Sequence, residues 1–203
     1  MNYLAHLTLS HFSAELQVGN YLADMVKGRA ATELPPAIYR GVLMHRAIDR
    51  LTDSDAGVRS VNLLLSLRHG RYAPVIGDVA FDYHLYANWS SVGPTISYAA
   101  FTRQTYARLL AALPDMPPRV RGYAVDMTEG DWLQLYTDRE GLRQVFSRML
   151  RRLSKPDLLQ GVNESLVQYE AELNQAFLGL FPRLNQLADT YRDPPAPTDR
   201  SAP

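Results

Sequence analysis

The chain has 203 residues, enough for one domain with a sizeable buried core. Lysine plus arginine equals aspartate plus glutamate at 21 each, so the overall balance carries no nucleic-acid or membrane signature. Cysteine is absent, which excludes disulfides, thiolate metal sites and a cysteine nucleophile and leaves histidine, carboxylate and water as ligands for any metal.

The opening MNYLAHLTLSHF is apolar but lacks a basic leader and a small-residue cleavage site, so it is not read as a signal peptide. No apolar run reaches the roughly 18 residues of a membrane span, and the expectation is a soluble cytoplasmic protein. Residues 14–28 repeat apolar positions at helical spacing (Leu16, Tyr21, Leu22, Met25, Val26) and stop at Gly28. Pro35 and Pro36 open a helix that carries Ile38, Val42 and Ile48 to about Leu51. Helices follow over 57–68, from Pro74 to Trp89, and over 98–113, before Pro114, Pro117 and Pro118 break the chain. One or two short helices surround Gly130, and another spans 139–153. A long pattern from Pro156 to Arg192 should kink at Pro182. The Pro-rich tail 193–203 has nothing to bury and is expected to be disordered, leaving 1–192 as one domain. No strand alternation appears, so the expected class is all-α, a single-domain helical bundle.

Three polar pairs stand out inside these helical patterns: Asn20 with Asp24, His45 with Asp49, and Asp78 with Asp82. Side chains four apart share a helix face, so each pair can grip one ligand. Imidazole and carboxylate groups among core-facing residues are costly to bury unless a divalent cation compensates them. Charge is unevenly spread as well, with an arginine excess over 58–125 and an acidic excess from Gly161 onward. The basic stretch is either a solvated face or a surface for an acidic partner.

The blocks MNYLAHL, VGNYLADMVKG, IYRGVLMHRAIDRLTDSD and RYAPVIGDVAFDYHLYANW, together with PRLNQL near Pro182, resemble the bacterial acyl carrier protein phosphodiesterases in order and spacing. The resemblance implies an α-helical fold related to the HD phosphohydrolases and a divalent metal, manganese above all. It also implies release of 4′-phosphopantetheine from holo acyl carrier protein, a step in the lipid metabolism around fatty acid biosynthesis. One position departs: family members often read Asp-His where this chain has Asp82 followed by Tyr83, and His84 lies about 100° further round the helix.

Phosphodiester hydrolysis needs an activated water and relief of charge on the phosphoryl oxygens, both of which a divalent metal supplies. The ligands assigned on this chemistry are Asp24, His45, Asp49 and Asp82, with His6 as a further ligand or general acid. Asn20, Asp53 and Asp78 would support them or hold a second ion. Magnesium, iron or zinc are alternatives to manganese. Lys27 and Arg46 are candidates for substrate phosphate, and Tyr83, Tyr86, Trp89 and Tyr98 for lining a pantetheine channel. Plain alternatives remain for each: Asp24 paired with Lys27, His45 and His6 as structural histidines, Asp49 paired with Arg46 or Arg50, Asp53 in a turn, Asp78 as a polar helix position, Lys27 and Arg46 in surface pairs, and the aromatic set as core. His11, His69 and His84 are read as core or surface histidines. Arg68, Arg71, Arg119 and Arg121 are candidate contacts to an acidic carrier, while no nucleic acid or membrane partner is expected and the oligomeric state is open. Two other functions compete, an HD-type hydrolase of a nucleotide or small phosphoester and a silent helical module that binds carrier protein without cleaving it.

Overall fold

The computed structural model describes residues 1–150 and 154–192, and the expectations for the tail and for the last residues of the 139–153 helix fall outside them. Among the described residues all regular structure is helical. Helix α1 (Tyr3–Leu9) begins at Asn2, whose side chain accepts from the Tyr3 amide, and α2 (Ala14–Leu22) begins at Ser13, which caps the Leu16 amide. A one-turn α3 (Arg29–Thr32) leads to α4 (Pro36–Ser54), opened by proline in its first turn. Asp55 then caps α5 (Ala56–His69) through the Val58 amide and pairs with Arg183. Helix α6 (Ala73–Ala87) and the short α7 (Trp89–Val92) come next. Ser97 caps α8 (Tyr98–Ala111), and α9 (Pro118–Glu129) precedes a 3-10 turn, Trp132–Tyr136. Helices α10 (Arg139–Leu150), α11 (Val162–Gln168) and α12 (Glu170–Asp189) close the described chain.

Two segments differ from the sequence reading. Helix α2 stops at Leu22, and the amides of Met25 and Val26 both turn back to the Leu22 carbonyl. Asp24 therefore sits in a turn beyond the helix. The long C-terminal pattern is broken at Gly161, whose φ of 70° favours glycine, and again at Tyr169; α12 then includes Pro182.

Helix α12 forms the spine of the core, burying Leu173, Phe177, Leu180, Phe181 and Leu184 against α4, α5 and α6. Phe177 meets Phe81 of α6 and Phe181 with ring centroids 6.1 and 5.0 Å apart. Helices α2 and α4 cross in close contact. A Cβ built on Gly19 would lie 1.9 Å from the Ile38 carbonyl oxygen, and one on Gly41 2.3 Å from that of Leu16, so backbone touches backbone there. That contact sets Asn20 and Asp24 beside His45 and Asp49. No described helix is long and apolar enough to cross a membrane.

Candidate metal centre

At this crossing α1 lies against α2, and the rings of His6 and His45 stack with centroids 3.8 Å apart and planes 14° from parallel. One amide holds both. Asn20 donates from Nδ2 to the His6 carbonyl at 3.0 Å, which turns its Oδ1 toward Nδ1 of His6 (2.9 Å) and of His45 (3.1 Å). The His45 Nδ1 also lies 3.0 Å from the Asn20 carbonyl oxygen, which can only accept. Both imidazoles thereby carry a proton on Nδ1, which leaves Nε2 of each ring as the position for a second proton or a cation.

Both Nε2 atoms face carboxylates. His45 Nε2 is 3.0 Å from Asp49 Oδ2 and 3.3 Å from Asp24 Oδ1, and His6 Nε2 is 3.2 Å from Asp49 Oδ1. His6 Nε2 is fully buried yet makes no hydrogen bond, because the Asp49 oxygen near it lies off hydrogen-bond geometry. Acceptors facing acceptors in a buried site need a positive charge between them, and either a proton or a cation meets that need. Ligating atoms of His6, His45 and Asp49 all lie within 4.8 Å of one another. Two imidazoles and a carboxylate at this spacing, with Asp24 beside them and Asn20 behind, fit a divalent ion of the first transition row.

The charges respond accordingly. Burial pulls His45 down, but Asp24 and Asp49 outweigh it and raise the imidazole to about 9. Burial lowers His6 despite Asp49, since His45 and the amino terminus oppose its charge. For Asp49 burial favours the neutral acid, and the two histidines override this to hold it far below the carboxylate range. Asp24 is lowered by its contact with His45. Its side chain is 70 % exposed and that of Asp49 41 %, so the cluster opens to solvent on the carboxylate side.

The third polar pair is used differently. Asp82 is fully buried and accepts from the Leu4 and Ala5 amides, at 2.7 and 3.0 Å, with one oxygen each. It satisfies the start of α1 and is not brought into the His6–His45–Asp49 group. Burial pushes it up to about 7 against the pull of those amides. Asp78 binds the Met1 amino group at 2.7 Å. Asp53 lies exposed near Asp49 and Asp78, raised by burial and by their charges. Lys27 is exposed and Arg46 half-buried.

Tyr83 turns away from the cluster, with the Arg139 guanidinium 4.9 Å over its ring. The aromatic residues considered for a channel pack on one another: Tyr98 meets Tyr86 and Trp89 edge-on, at 4.7 and 4.9 Å. His84 contacts Phe177, and His69 bonds the Leu158 carbonyl and the Ser165 hydroxyl, as core histidines do. Of the candidate docking arginines, Arg121 is tied to the Met116 and Pro114 carbonyls and Arg71 to Ser154, while Arg119 reaches the Met25 carbonyl beside Asp24. Gly19 and Gly41, which set the crossing, were readable only as glycines flanking the polar pairs.

Fold and site together define an all-α protein with a histidine–carboxylate cluster suited to a divalent cation. The model of one family, described as acyl carrier protein phosphodiesterase, matches residues 1–184. A relative of that name from Serratia proteamaculans (strain 568) is 34 % identical over 188 residues, covering 93 % of this chain and 97 % of its own. Another from Salmonella dublin is 33 % identical over 184 residues, covering 91 % and 95 %. The chain belongs to the acyl carrier protein phosphodiesterase family. No solved structure matches.

Proposed function

We propose that the chain is a metal-dependent phosphodiesterase that removes 4′-phosphopantetheine from holo acyl carrier protein, as the names of its relatives suggest. The observation that carries the reading is the pair of imidazoles, both held through Nδ1, whose Nε2 atoms converge on Asp49 and Asp24. Asp24, His45 and Asp49 with His6 would hold the ion, and Asn20 would keep both rings presenting Nε2. Asp82, first assigned as a ligand, is better read as the anchor of α1, because its oxygens already serve two amides. Manganese suits imidazole mixed with carboxylate, with iron and zinc as competitors. When bound, the ion lowers the pKa of water and relieves charge on the phosphoryl oxygens.

The chain's own groups do the rest. Lys27, exposed three residues after Asp24, and Arg46, next to His45 in the chain, would draw the phosphate anion to the cluster. The exposed edges of Asp24 and Asp49 admit substrate, and the buried histidines close the opposite side. In the reaction the oxygen of water bonds to phosphorus, the bond from phosphorus to the carrier serine breaks, and a proton ends on the serine oxygen. Residues 1–192 act as one domain in this reading, and the relation to HD phosphohydrolases belongs to the same proposal. The substitution of Tyr83 removes no ligand, since that side chain sits under Arg139.

Incubating the purified chain with holo carrier and Mn²⁺ should shorten the carrier by the mass of phosphopantetheine. Asp24→Ala and His45→Ala should each weaken metal binding by about 10–100-fold, read by titration calorimetry. A protein that binds no divalent ion at all would sink the assignment.

A further inference from the structure

The surface falls into a trough of about 370 Å³ lined by Tyr3, Met25, Arg119, Val120, Tyr123 and Trp132. Its residues come from α1, the turn after α2, α9 and the Trp132–Tyr136 turn, so the far wall is built by segments that contribute nothing to the metal centre. The near wall is tied to that centre through the chain. Met25 follows Asp24 in the chain, and Tyr3 stands one turn before His6 on α1, a spacing that puts both side chains on one helix face. Both also face α2, where the Tyr3 ring lies 5.9 Å from Tyr21 and His6 meets Asn20. The Tyr3 ring is 6.5 Å from Trp132.

The lining is aromatic and thioether surface with cations at the margin. Arg119 crosses the trough edge to bond the Met25 carbonyl at 3.1 Å, and the Arg148 guanidinium lies 5.3 Å over the Trp132 ring. The volume is within the range of small-molecule sites, which are mostly apolar with a few polar groups that fix orientation. A phosphopantetheine arm has the matching chemistry. It is an uncharged chain of a branched dimethyl carbon, two amides and a thiol, and its only anionic part is the phosphodiester at one end. Placed with the phosphodiester at the metal centre, such an arm would run its apolar segments over Tyr3, Tyr123 and Trp132.

We propose that this trough holds the pantetheine arm of the holo carrier during hydrolysis. The inference rests on the function proposed above and deepens it, because holding the arm decides which ester bond is cut. An arm fixed in the trough stays with phosphorus. The serine oxygen of the carrier, on the side away from the trough, becomes the group that departs, and the products are the phosphorylated arm and the free serine.

Pantetheine, which carries no phosphate, is the probe. It is titrated into the chain bearing Trp89→Phe, so that Trp132 is the only indole left to report by emission; calorimetry on the unsubstituted chain replaces this should the variant not fold. Saturable binding is expected, weakened about fivefold by Tyr123→Ala, the loss of one aromatic contact on the exposed wall. Absence of saturation, indifference to Tyr123→Ala, or preferential saturation by adenosine overturns the assignment. Carrier hydrolysis without pantetheine binding would remove the trough and leave the function standing. Pantetheine binding with no hydrolysis under any metal would remove the function and leave the trough as an arm-binding site.

Discussion

Asn20 is the residue on which the centre turns. A single carboxamide oxygen serves two imidazoles and the amide nitrogen is committed to the His6 carbonyl, so neither ring can flip without breaking that set. Replacing it with leucine removes the common acceptor and lets each histidine choose its tautomer. Asn20→Leu should therefore weaken metal binding by about 10–100-fold while all four ligating side chains remain, as titration of the variant with Mn²⁺ would reveal. Wild-type affinity in that variant would mean that the backbone carbonyl of residue 20 suffices. The sequence made Asn20, His45 and Asp49 visible by spacing on apolar helices. It could not show that Asn20 faces Nδ1 and Asp24 faces Nε2, because Asp24 reaches His45 from a turn whose geometry no periodicity encodes. Tyr83 was legible only as a departure from a pattern; its orientation toward Arg139 depends on the packing of α10.

At the scale of elements, α1 is a short helix that carries His6 and is held at its start by a side chain from α6. Deleting that carboxylate strands two buried amides, each costing about 1–3 kcal/mol. Asp82→Ala should lose roughly 2–5 kcal/mol in urea unfolding and raise hydrogen exchange through α1, whereas Asp82→Asn, keeping one acceptor, should lose less. Should the two variants lower metal affinity steeply at unchanged stability, Asp82 would be a ligand after all. Most helices were legible in advance because their apolar residues recur at helical spacing and proline or serine marks their starts, as at Pro36 and Ser97. The break at Gly161 and Tyr169 was not, since the apolar stripe continues across it and tertiary contacts decide where the chain turns.

On the scale of the whole molecule, acid should loosen the core through a histidine remote from the cluster. His84 is buried between α6 and α12, and burial lowers it to about 4, with Glu170 pulling up and Arg139 pushing down, beside Asn174. An unfolded chain takes up this proton below about 6.5, while the fold refuses it until about 4. Stability is thus fully present above that window and falls as pH drops through it, by roughly 3 kcal/mol at the lower end. His84→Gln, which cannot titrate, should show a visibly shallower decline in urea midpoint between neutral pH and pH of about 4.5. Parallel declines in the two proteins would assign the acid sensitivity to other groups. The glycine-lined crossing of α2 and α4 has a different kind of consequence. Because Gly19 and Gly41 bring backbone against backbone, the spacing of α2 and α4 is fixed by main-chain atoms, whose size no side-chain substitution alters. The histidine–carboxylate cluster is in this sense insulated: exchanges among Phe81, Phe177 and Phe181 should make the molecule more or less stable without changing the gap across which Asn20 reaches His45.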